Sequence, residues 1–401
     1  MFWGKNPGEI IYCAAAVGVV MNTGTLKQRY MGAGEKSSVN GHTDDIMSLG
    51  VCPNRKVVVT GSLGSRPLIL VWDYETMEVL ARNKLGRNTR AVSTIRFSKD
   101  GKYFFCSDKH NDSNVYCFET EGAKLVGQNK CGSDPVFDAE TGANNVFGVS
   151  TKRGCHFFHF DGSELDKKRG IFGSNRSSTM ISMAYNAEDD CFYSGTGKGS
   201  VYEWKGNSCV RSVKLHEGSI RGLQWANGVL LSSGSRDNKL IVSKNLEALH
   251  TIELPSYAKS LDFHHGKYIA ATSCGKVIEL GEGGANPKVI MQGHSAGETW
   301  GLAIGPEGKV YTTADDNKVI SWDPATKKCA NVGIVNETRG RKFRIGGAST
   351  LSPLPPNQHS RAVTVNANGH VAIGTNDGCL SVRSNKVHLQ LMIGFKSTHL
   401  R

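Results

Sequence analysis

Several ionisable residues lie close enough in the sequence to suggest catalysis or metal binding. They are the adjacent carboxylates Asp189-Asp190 and Asp315-Asp316 and the histidines His156, His159, His264 and His265. Neighbouring carboxylates at a turn point in different directions, and the histidines have no cysteine or glutamate at ligand spacing. The stretch GAGEKSS at 32–38 lacks the spacing of a phosphate-binding loop, and hydrolase and metalloprotease motifs are absent from the sequence. The sequence therefore predicts no catalytic, cofactor-binding or metal-binding residues, and no enzyme.

A short strand-like segment recurs along the chain and predicts that the ionisable residues named above lie on β-strands or on the turns between them. It reads LILVW where it first occurs, ending at Trp72, and KVISW at its seventh occurrence, ending at Trp322. The other occurrences read NVYCF, HFFHF, SVYEW, KLIVS, KVIEL and, after the seventh, CLSVR. The spacing averages about 42 residues, which is typical of the four-stranded blade of a β-propeller. The sequence therefore predicts an all-β WD-repeat propeller of about seven four-stranded blades.

The seventh repeat has the residues for a hydrogen-bonded chain inside its blade. The dipeptide Gly293-His294 opens this repeat, as Gly41-His42 opens the first. Thr312 and Thr313 lie on a later predicted strand, and Asp316 lies six residues before Trp322, at the turn that follows this strand. Such a chain satisfies polar groups that would otherwise be costly to bury. We therefore interpret His294, Thr312 or Thr313, Asp316 and Trp322 as residues that hold the blade together, and not as a catalytic pair.

Interruptions of the repeat predict the domain organisation. Residues 1–40 contain an apolar stretch, Ile10 to Met21, interpreted as a hydrophobic motif with one strand that closes the ring. Residues 41–335 are expected to form the propeller, and residues 336–360 a basic insertion that contains prolines. Residues 361–401 are expected to be either a final blade or the link to a second propeller.

The charge of the chain favours an acidic partner. Lysine and arginine number 48 against 36 acidic residues, which gives a formal net charge of +12. Three basic clusters are candidate contact sites: Arg82, Lys84, Arg87 and Arg90; Lys167, Lys168 and Arg169; and Arg339, Arg341, Lys342, Phe343 and Arg344. The alternative is that these clusters are solvated loops. Nucleic acid is not predicted as a partner, because no Arg/Gly or base-stacking motif accompanies the charge.

The apolar residues and the cysteines indicate the cellular compartment in which the protein is expected. No run reaches the 18 apolar residues that a membrane-spanning helix needs, so no membrane partner is predicted. The 11 cysteines form no C-x-x-C pair and lie singly within apolar segments. This pattern indicates buried thiols in a reducing compartment such as the cytoplasm.

Longer segments of the sequence resemble a known family. The opening YCAAAVGVVMNTGTLKQRYMG, followed by GHTDDIMSLGVCPNRKVVVTG, resembles the hydrophobic motif and first WD repeat of the echinoderm microtubule-associated protein-like family. The segments HFFHFDGSELDKKRGIFG and GHSAGETWGLAIGPEGKVYTTADDNKVISWD are similar to later repeats of that family, and the resemblance runs from about Tyr12 to Val382. It implies a structural or scaffold protein of the cytoskeleton, in a ciliary or flagellar axoneme, without a cofactor or small-molecule substrate. Its implied partners are tubulin, as microtubules, and neighbouring microtubule-associated proteins.

A second function, that of an adaptor, is also compatible with a WD-repeat propeller. Many WD-repeat propellers are adaptors that present partners within a soluble signalling or ubiquitin-ligase complex. Co-sedimentation with polymerised tubulin would favour the first function, and a diffuse pool bound to a ligase or kinase would favour the second.

Overall fold

The computed structural model describes residues 1–32, 41–87, 89–295, 298–326, 328–334, 359–376, 379–383 and 388–392. In these residues the regular elements are β-strands and two 3-10 helices, Glu282–Gly284 and Pro306–Gly308. The strands form nine four-stranded sheets, and in each sheet the strands lie side by side in chain order. The paired strands are antiparallel. This architecture confirms the predicted all-β propeller fold. Neither described helix has the length and apolar character needed to cross a membrane.

Seven of the sheets have the following strands. The first contains β1 (Phe2–Trp3), β2 (Glu9–Ala14), β3 (Val17–Asn22) and β4 (Gln28–Met31). The second contains β5 (Ile46–Val51), β6 (Val57–Ser62), β7 (Leu68–Asp73) and β8 (Val79–Lys84). The third contains β9 (Val92–Phe97), β10 (Tyr103–Asp108), β11 (Ser113–Glu119) and β12 (Leu125–Gly132). The fourth contains β13 (Val136–Thr141), β14 (Val146–Thr151), β15 (Gly154–Phe160) and β16 (Leu165–Arg169). The fifth contains β17 (Met180–Asn186), β18 (Cys191–Thr196), β19 (Ser200–Lys205) and β20 (Ser208–Lys214). The sixth contains β21 (Ile220–Ala226), β22 (Val229–Gly234), β23 (Lys239–Lys244) and β24 (Glu247–Glu253). The seventh contains β25 (Ala258–His264), β26 (Lys267–Thr272), β27 (Lys276–Leu280) and β28 (Lys288–Gln292).

Two further sheets follow in the chain. The eighth contains β29 (Thr299–Ile304), β30 (Val310–Ala314), β31 (Lys318–Asp323) and β32 (Lys328–Ile334). The ninth contains β33 (Ser360–Val365), β34 (Val371–Thr375), β35 (Cys379–Arg383) and β36 (His388–Met392). In the second to ninth sheets the recurring segment of the sequence is the third strand.

The first compact unit of the chain, Met1–Ser273 with Val277–Ile290, is a closed ring of sheets. Each first strand from β5 to β21 packs against the first strand of the next sheet, β2 packs against β5, and β1 packs against β25. At the closure the backbone N–H of Trp3 donates to Asp262 Oδ2 at 2.7 Å. Arg55 donates to the carbonyl of Trp3 and lies 3.4 Å from the same carboxylate. Residues about 260 positions apart in the chain therefore lock the ring.

The second compact unit comprises Cys274–Lys276 and Met291–Arg401. It contains the eighth and ninth sheets, and β29 packs against β33 within it. The repeat that opens at Gly293-His294 therefore belongs to this unit.

The structure divides the chain differently from the predicted boundaries. The opening residues supply a complete four-stranded sheet of the ring, where one closing strand was expected. The apolar stretch Ile10 to Met21 is a hairpin that reverses at Ala15, whose φ is +50°. The ring thus reaches seven sheets before the seventh repeat. The predicted insertion 336–360 lies outside the described residues except at its last two positions.

The direction of the strands gives the ring two faces. In each sheet of the first unit, strands one and three run one way and strands two and four run the other. The connections between sheets, and the turns between second and third strands, therefore emerge on one side, here called the linker face. The remaining turns emerge on the opposite side, here called the turn face.

Candidate functional site

The four residues predicted to hold the seventh repeat form a continuous hydrogen-bonded chain in the eighth sheet. His294 Nδ1 lies 3.0 Å from Asp316 Oδ1, and His294 Nε2 lies 2.8 Å from Thr312 Oγ1. Trp322 Nε1 donates to the same hydroxyl at 2.7 Å. Burial opposes the charge of Asp316, but hydrogen bonds from His294 and from two backbone N–H groups lower its pKa to about 2. Both nitrogens of His294 are occupied, so this histidine is not available as a general base.

Parts of the same hydrogen-bonded arrangement recur in other sheets, including the fifth, where Trp204 Nε1 donates to Ser194 Oγ at 2.8 Å. In the sixth sheet His216 lies 2.9 Å from both Asp237 and Ser232. In the second sheet His42 Nε2 lies 2.8 Å from Thr60 Oγ1, while His42 Nδ1 and Trp72 Nε1 have no hydrogen-bond partner among the described residues. Burial lowers the pKa of His42 to about 4, so this histidine is neutral at physiological pH. These contacts, like those of His294, hold blades together.

The remaining candidates for catalysis or metal binding have local roles. Tyr185 donates to Asp190 at 2.6 Å and Asn186 donates to Asp189 at 2.9 Å, so this carboxylate pair orders a turn. Burial, the largest cause, and nearby cations lower the pKa of His156 to about 4. In the part of the chain that the structure describes, no three His, Cys, Asp or Glu side chains are grouped to hold a metal ion.

Two of the three predicted basic clusters lie on the same side of the ring. Lys84 ends β8, and Arg87 and Arg90 lie on the connection from the second sheet to the third, on the linker face. Lys168 and Arg169 end β16, the outer strand of the fourth sheet, towards the same face. These side chains are exposed, and none of the five forms a salt bridge within the described residues. The third cluster, from Arg339 to Arg344, lies outside those residues.

The third sheet joins the two clusters into one surface. The backbone N–H of Arg90 donates to the carbonyl of Lys109 at 3.0 Å, and Lys167 Nζ donates to the carbonyl of Cys131 at 2.6 Å. We call the continuous set of exposed cations on these three sheets the basic rim. The basic rim comprises Arg66, Arg82, Lys84, Arg87, Arg90, Lys109, Lys130, Lys152, Lys167, Lys168 and Arg169. Sequence reasoning found two clusters of this surface and missed four single cations, Arg66, Lys109, Lys130 and Lys152.

The connections of the basic rim carry few acidic side chains. Asp44 and Asp45 lie on the linker-face connection into the second sheet, and Asp112 and Asp134 lie on those of the third sheet, where Asp134 pairs with Arg153 at 2.7 Å. The excess of exposed cations over acidic side chains gives this part of the surface a positive potential.

A second charged site, which the sequence did not reveal, lines the axis of the ring. The first strands of the sheets surround a cavity of about 440 Å³. Arg96 pairs there with Asp138 at 3.0 Å and with Glu140 at 3.3 Å, and Lys99 pairs with Glu140 at 3.4 Å. Burial opposes the charge of Glu140, but Lys99 and Arg96 together hold its pKa below the usual value.

Comparison with known proteins identifies relatives of the chain. The family model described as the echinoderm microtubule-associated protein first beta-propeller matches residues 39–263. A ciliary WD repeat-containing protein, ctxp80, of Euplotoides octocarinatus is 30% identical over 95% of this chain and 55% of its own length. The 77 kDa echinoderm microtubule-associated protein of Strongylocentrotus purpuratus is 31% identical over 79% of this chain and 48% of its own length. The chain thus spans about half the length of the curated relatives it matches.

A solved structure supports the fold alone. The computationally designed Ika8 protein superposes with a TM-score of 0.50 at 18% identity, over 85% of this chain and 96% of that one.

Proposed function

The chain belongs to the echinoderm microtubule-associated protein β-propeller family, and on that premise we propose that it binds microtubules through the basic rim. We propose a non-enzymatic structural role, in which the ring is held against the acidic surface of tubulin or of a neighbouring microtubule-associated protein. The ciliary name of one relative supports an axonemal location. The observation that carries the proposal is the concentration of exposed cations on three consecutive sheets.

The chemistry of the basic rim suits a large acidic surface better than a small ligand. Its cations are exposed and are spread over strand ends and connections of three sheets. Each exposed ion pair contributes only about 0–1 kcal/mol, so useful affinity requires several contacts at once. The summed field also attracts an acidic partner from beyond contact distance, over about 8 Å at physiological ionic strength.

The His–Asp pairs support a role without catalysis. In the sixth and eighth sheets both ring nitrogens of the histidine are held by partners inside the same blade. Their hydrogen bonds stabilise the sheets and leave no oriented base facing a cleft.

Co-sedimentation with polymerised tubulin tests the proposal. The rim variant carries Arg87→Gln, Arg90→Gln, Lys168→Gln and Arg169→Gln. The matched turn-face control also loses four positive charges, through Lys56→Gln, Lys124→Gln, Lys205→Gln and Lys244→Gln. These four lysines are exposed and form no salt bridge among the described residues. Four lost contacts should weaken binding by about tenfold or more in the rim variant, while the control keeps most of its affinity.

Two conditions separate charge recognition from other binding. Affinity should fall steeply between low and physiological salt, and it should fall when limited proteolysis removes the acidic tails of tubulin. Equal binding by the rim variant and the control, or no pelleting of the wild type at low salt, would overturn the proposal.

A further inference from the structure

The cavity on the axis of the first unit has a polarised mouth. In each first strand from β5 to β25 a β-bulge at the second residue leaves one side chain out of the ladder. A bulge re-aims its side chain, and these first strands begin at the linker face. The bulge residues in order are Met47, Ser93, Phe137, Ile181, Arg221 and Lys259. The last four line the cavity, so its mouth is apolar on one side and cationic on the other.

The two cations at the mouth have no counter-ion. Arg221 Nε donates to Ser219 Oγ at 3.2 Å, and neither Arg221 nor Lys259 forms a salt bridge among the residues that the structure describes. Deeper in the cavity each carboxylate is already paired with a cation. Asp262 pairs with Arg55. Asp138 pairs with Arg96, and Glu140 pairs with both Arg96 and Lys99. The ionisable side chains that line the cavity therefore leave two positive charges uncompensated.

The walls beside these cations suit a peptide better than an inorganic ion. Phe137 is 42% exposed, and Ile181, Leu223 and Tyr257 line the same space. The methylene groups of a glutamate side chain can pack on such apolar walls while its carboxylate reaches a cation. A cavity of about 440 Å³ also exceeds what one phosphate ion fills.

We propose that the mouth of this cavity binds an acidic peptide segment, with the carboxylates of two nearby side chains held by Arg221 and Lys259. Tyr257 and Phe137 contact the peptide's apolar groups and fix its position over the axis. This site lies on the axis, apart from the basic rim on the outer strands, and does not depend on microtubule binding.

Fluorescence anisotropy with labelled hexaglutamate tests the site, with hexaglutamine as the uncharged control peptide. The double variant Arg221→Gln/Lys259→Gln should weaken hexaglutamate binding by at least about tenfold. Both side chains are exposed, so circular dichroism should show an unchanged fold and melting temperature. The turn-face control described above should bind hexaglutamate as the wild type does.

The same assay separates the cavity from other sources of affinity. The rim variant should keep most of its hexaglutamate affinity, and the double variant should still pellet with microtubules if the basic rim binds tubulin. Loss of hexaglutamate binding in the rim variant with full retention in the double variant would place the peptide on the basic rim and overturn the assignment. Displacement of hexaglutamate by inorganic phosphate at equal concentration would also overturn it, because the site would then recognise only a small anion.

Discussion

Replacing Asp316 by asparagine should destabilise the second unit by about 2 kcal/mol at neutral pH. Asp316 Oδ1 accepts from His294 Nδ1 at 3.0 Å and from the backbone N–H of Lys318 at 3.1 Å. Its other oxygen accepts from the backbone N–H of Ser295 at 2.8 Å. An amide of the same shape keeps one acceptor and turns the other into a donor, so donors on one side lose their partner.

The destabilisation of about 2 kcal/mol agrees with two independent quantities, a hydrogen-bond energy and a pKa shift. A hydrogen bond to a charged group contributes about 1.5–3 kcal/mol, and the asparagine variant loses at least one. Independently, the pKa of Asp316 is lowered from 3.8 to about 2 by its hydrogen bonds, against the opposing effect of burial. At roughly 1.4 kcal/mol for each pKa unit this shift gives at most about 2.5 kcal/mol, which solvent screening reduces towards 2.

The pH dependence has a defined sign. Because the pKa of Asp316 is lower in the folded than in the unfolded state, its ionised form stabilises the fold above about pH 4. This contribution is lost as the pH falls through about 2. The stability difference between the wild type and Asp316→Asn should therefore be constant from neutral pH to about pH 5 and should fall to about half at pH 3.

Urea unfolding and hydrogen exchange of the β30 and β31 peptides measure the effect. Glu298→Gln is the matched control, since it removes one charge from an exposed side chain near the same strands. If Asp316→Asn is as stable as this control, or if its deficit persists unchanged at pH 3, the hydrogen-bonded chain does not stabilise the blade as reasoned.

The remaining predictions concern ring closure and the core. Asp262→Ala removes the acceptor of the Trp3 N–H and the carboxylate that pairs with Arg55, so the free energy of unfolding of the first unit should fall by about 2–3 kcal/mol. Proteolysis near β1 should accelerate in the same variant, and an unchanged cleavage rate would show that this contact does not lock the ring. Leu223 and Leu302 occupy the same register position, opposite Ser232 and Thr312, but their exposures are 7% and 68%. Leu223→Ala should therefore cost about 2–4 kcal/mol in urea unfolding and Leu302→Ala less than about 0.5 kcal/mol, and equal costs would contradict this reading of the core.

The repeat could be predicted from sequence because the third strand of a blade is buried between neighbouring sheets. Its apolar residues must recur wherever a blade recurs, and Trp72 and Trp204 in this strand are fully buried. The first sheet was not predicted because its third strand, Val17–Asn22, lies with its second strand in one nearly continuous apolar stretch and does not stand out as a separate segment. Its hairpin reverses at Ala15 without a glycine or asparagine to signal the turn.

The sequence predicted one closing strand and not a complete first sheet, because a period of about 42 residues does not show where a ring ends. Closure is decided by contacts such as Trp3 with Asp262, which are too distant in sequence to leave a local pattern. The hydrogen-bonded chain of the eighth sheet could be predicted from the sequence, since its four residues belong to one repeat. The cavity was missed for a similar reason. Arg221 and Lys259 are single cations in separate strands, and only the shared bulge position brings them to one mouth.

The geometry of a ring explains how scattered cations produce one surface. A residue at the end of a fourth strand always emerges on the linker face, so Lys84 and Arg169 point to the same side although two sheets carry them. A bulge residue at the start of a first strand emerges on that face too, but beside the axis. Position within the repeat therefore sets the distance from the axis, and sheet number sets the direction around it. An acidic partner lying across the linker face would meet the basic rim and the cationic side of the cavity mouth together. Because each exposed contact is individually weak, such a partner would gain affinity mainly by reaching both.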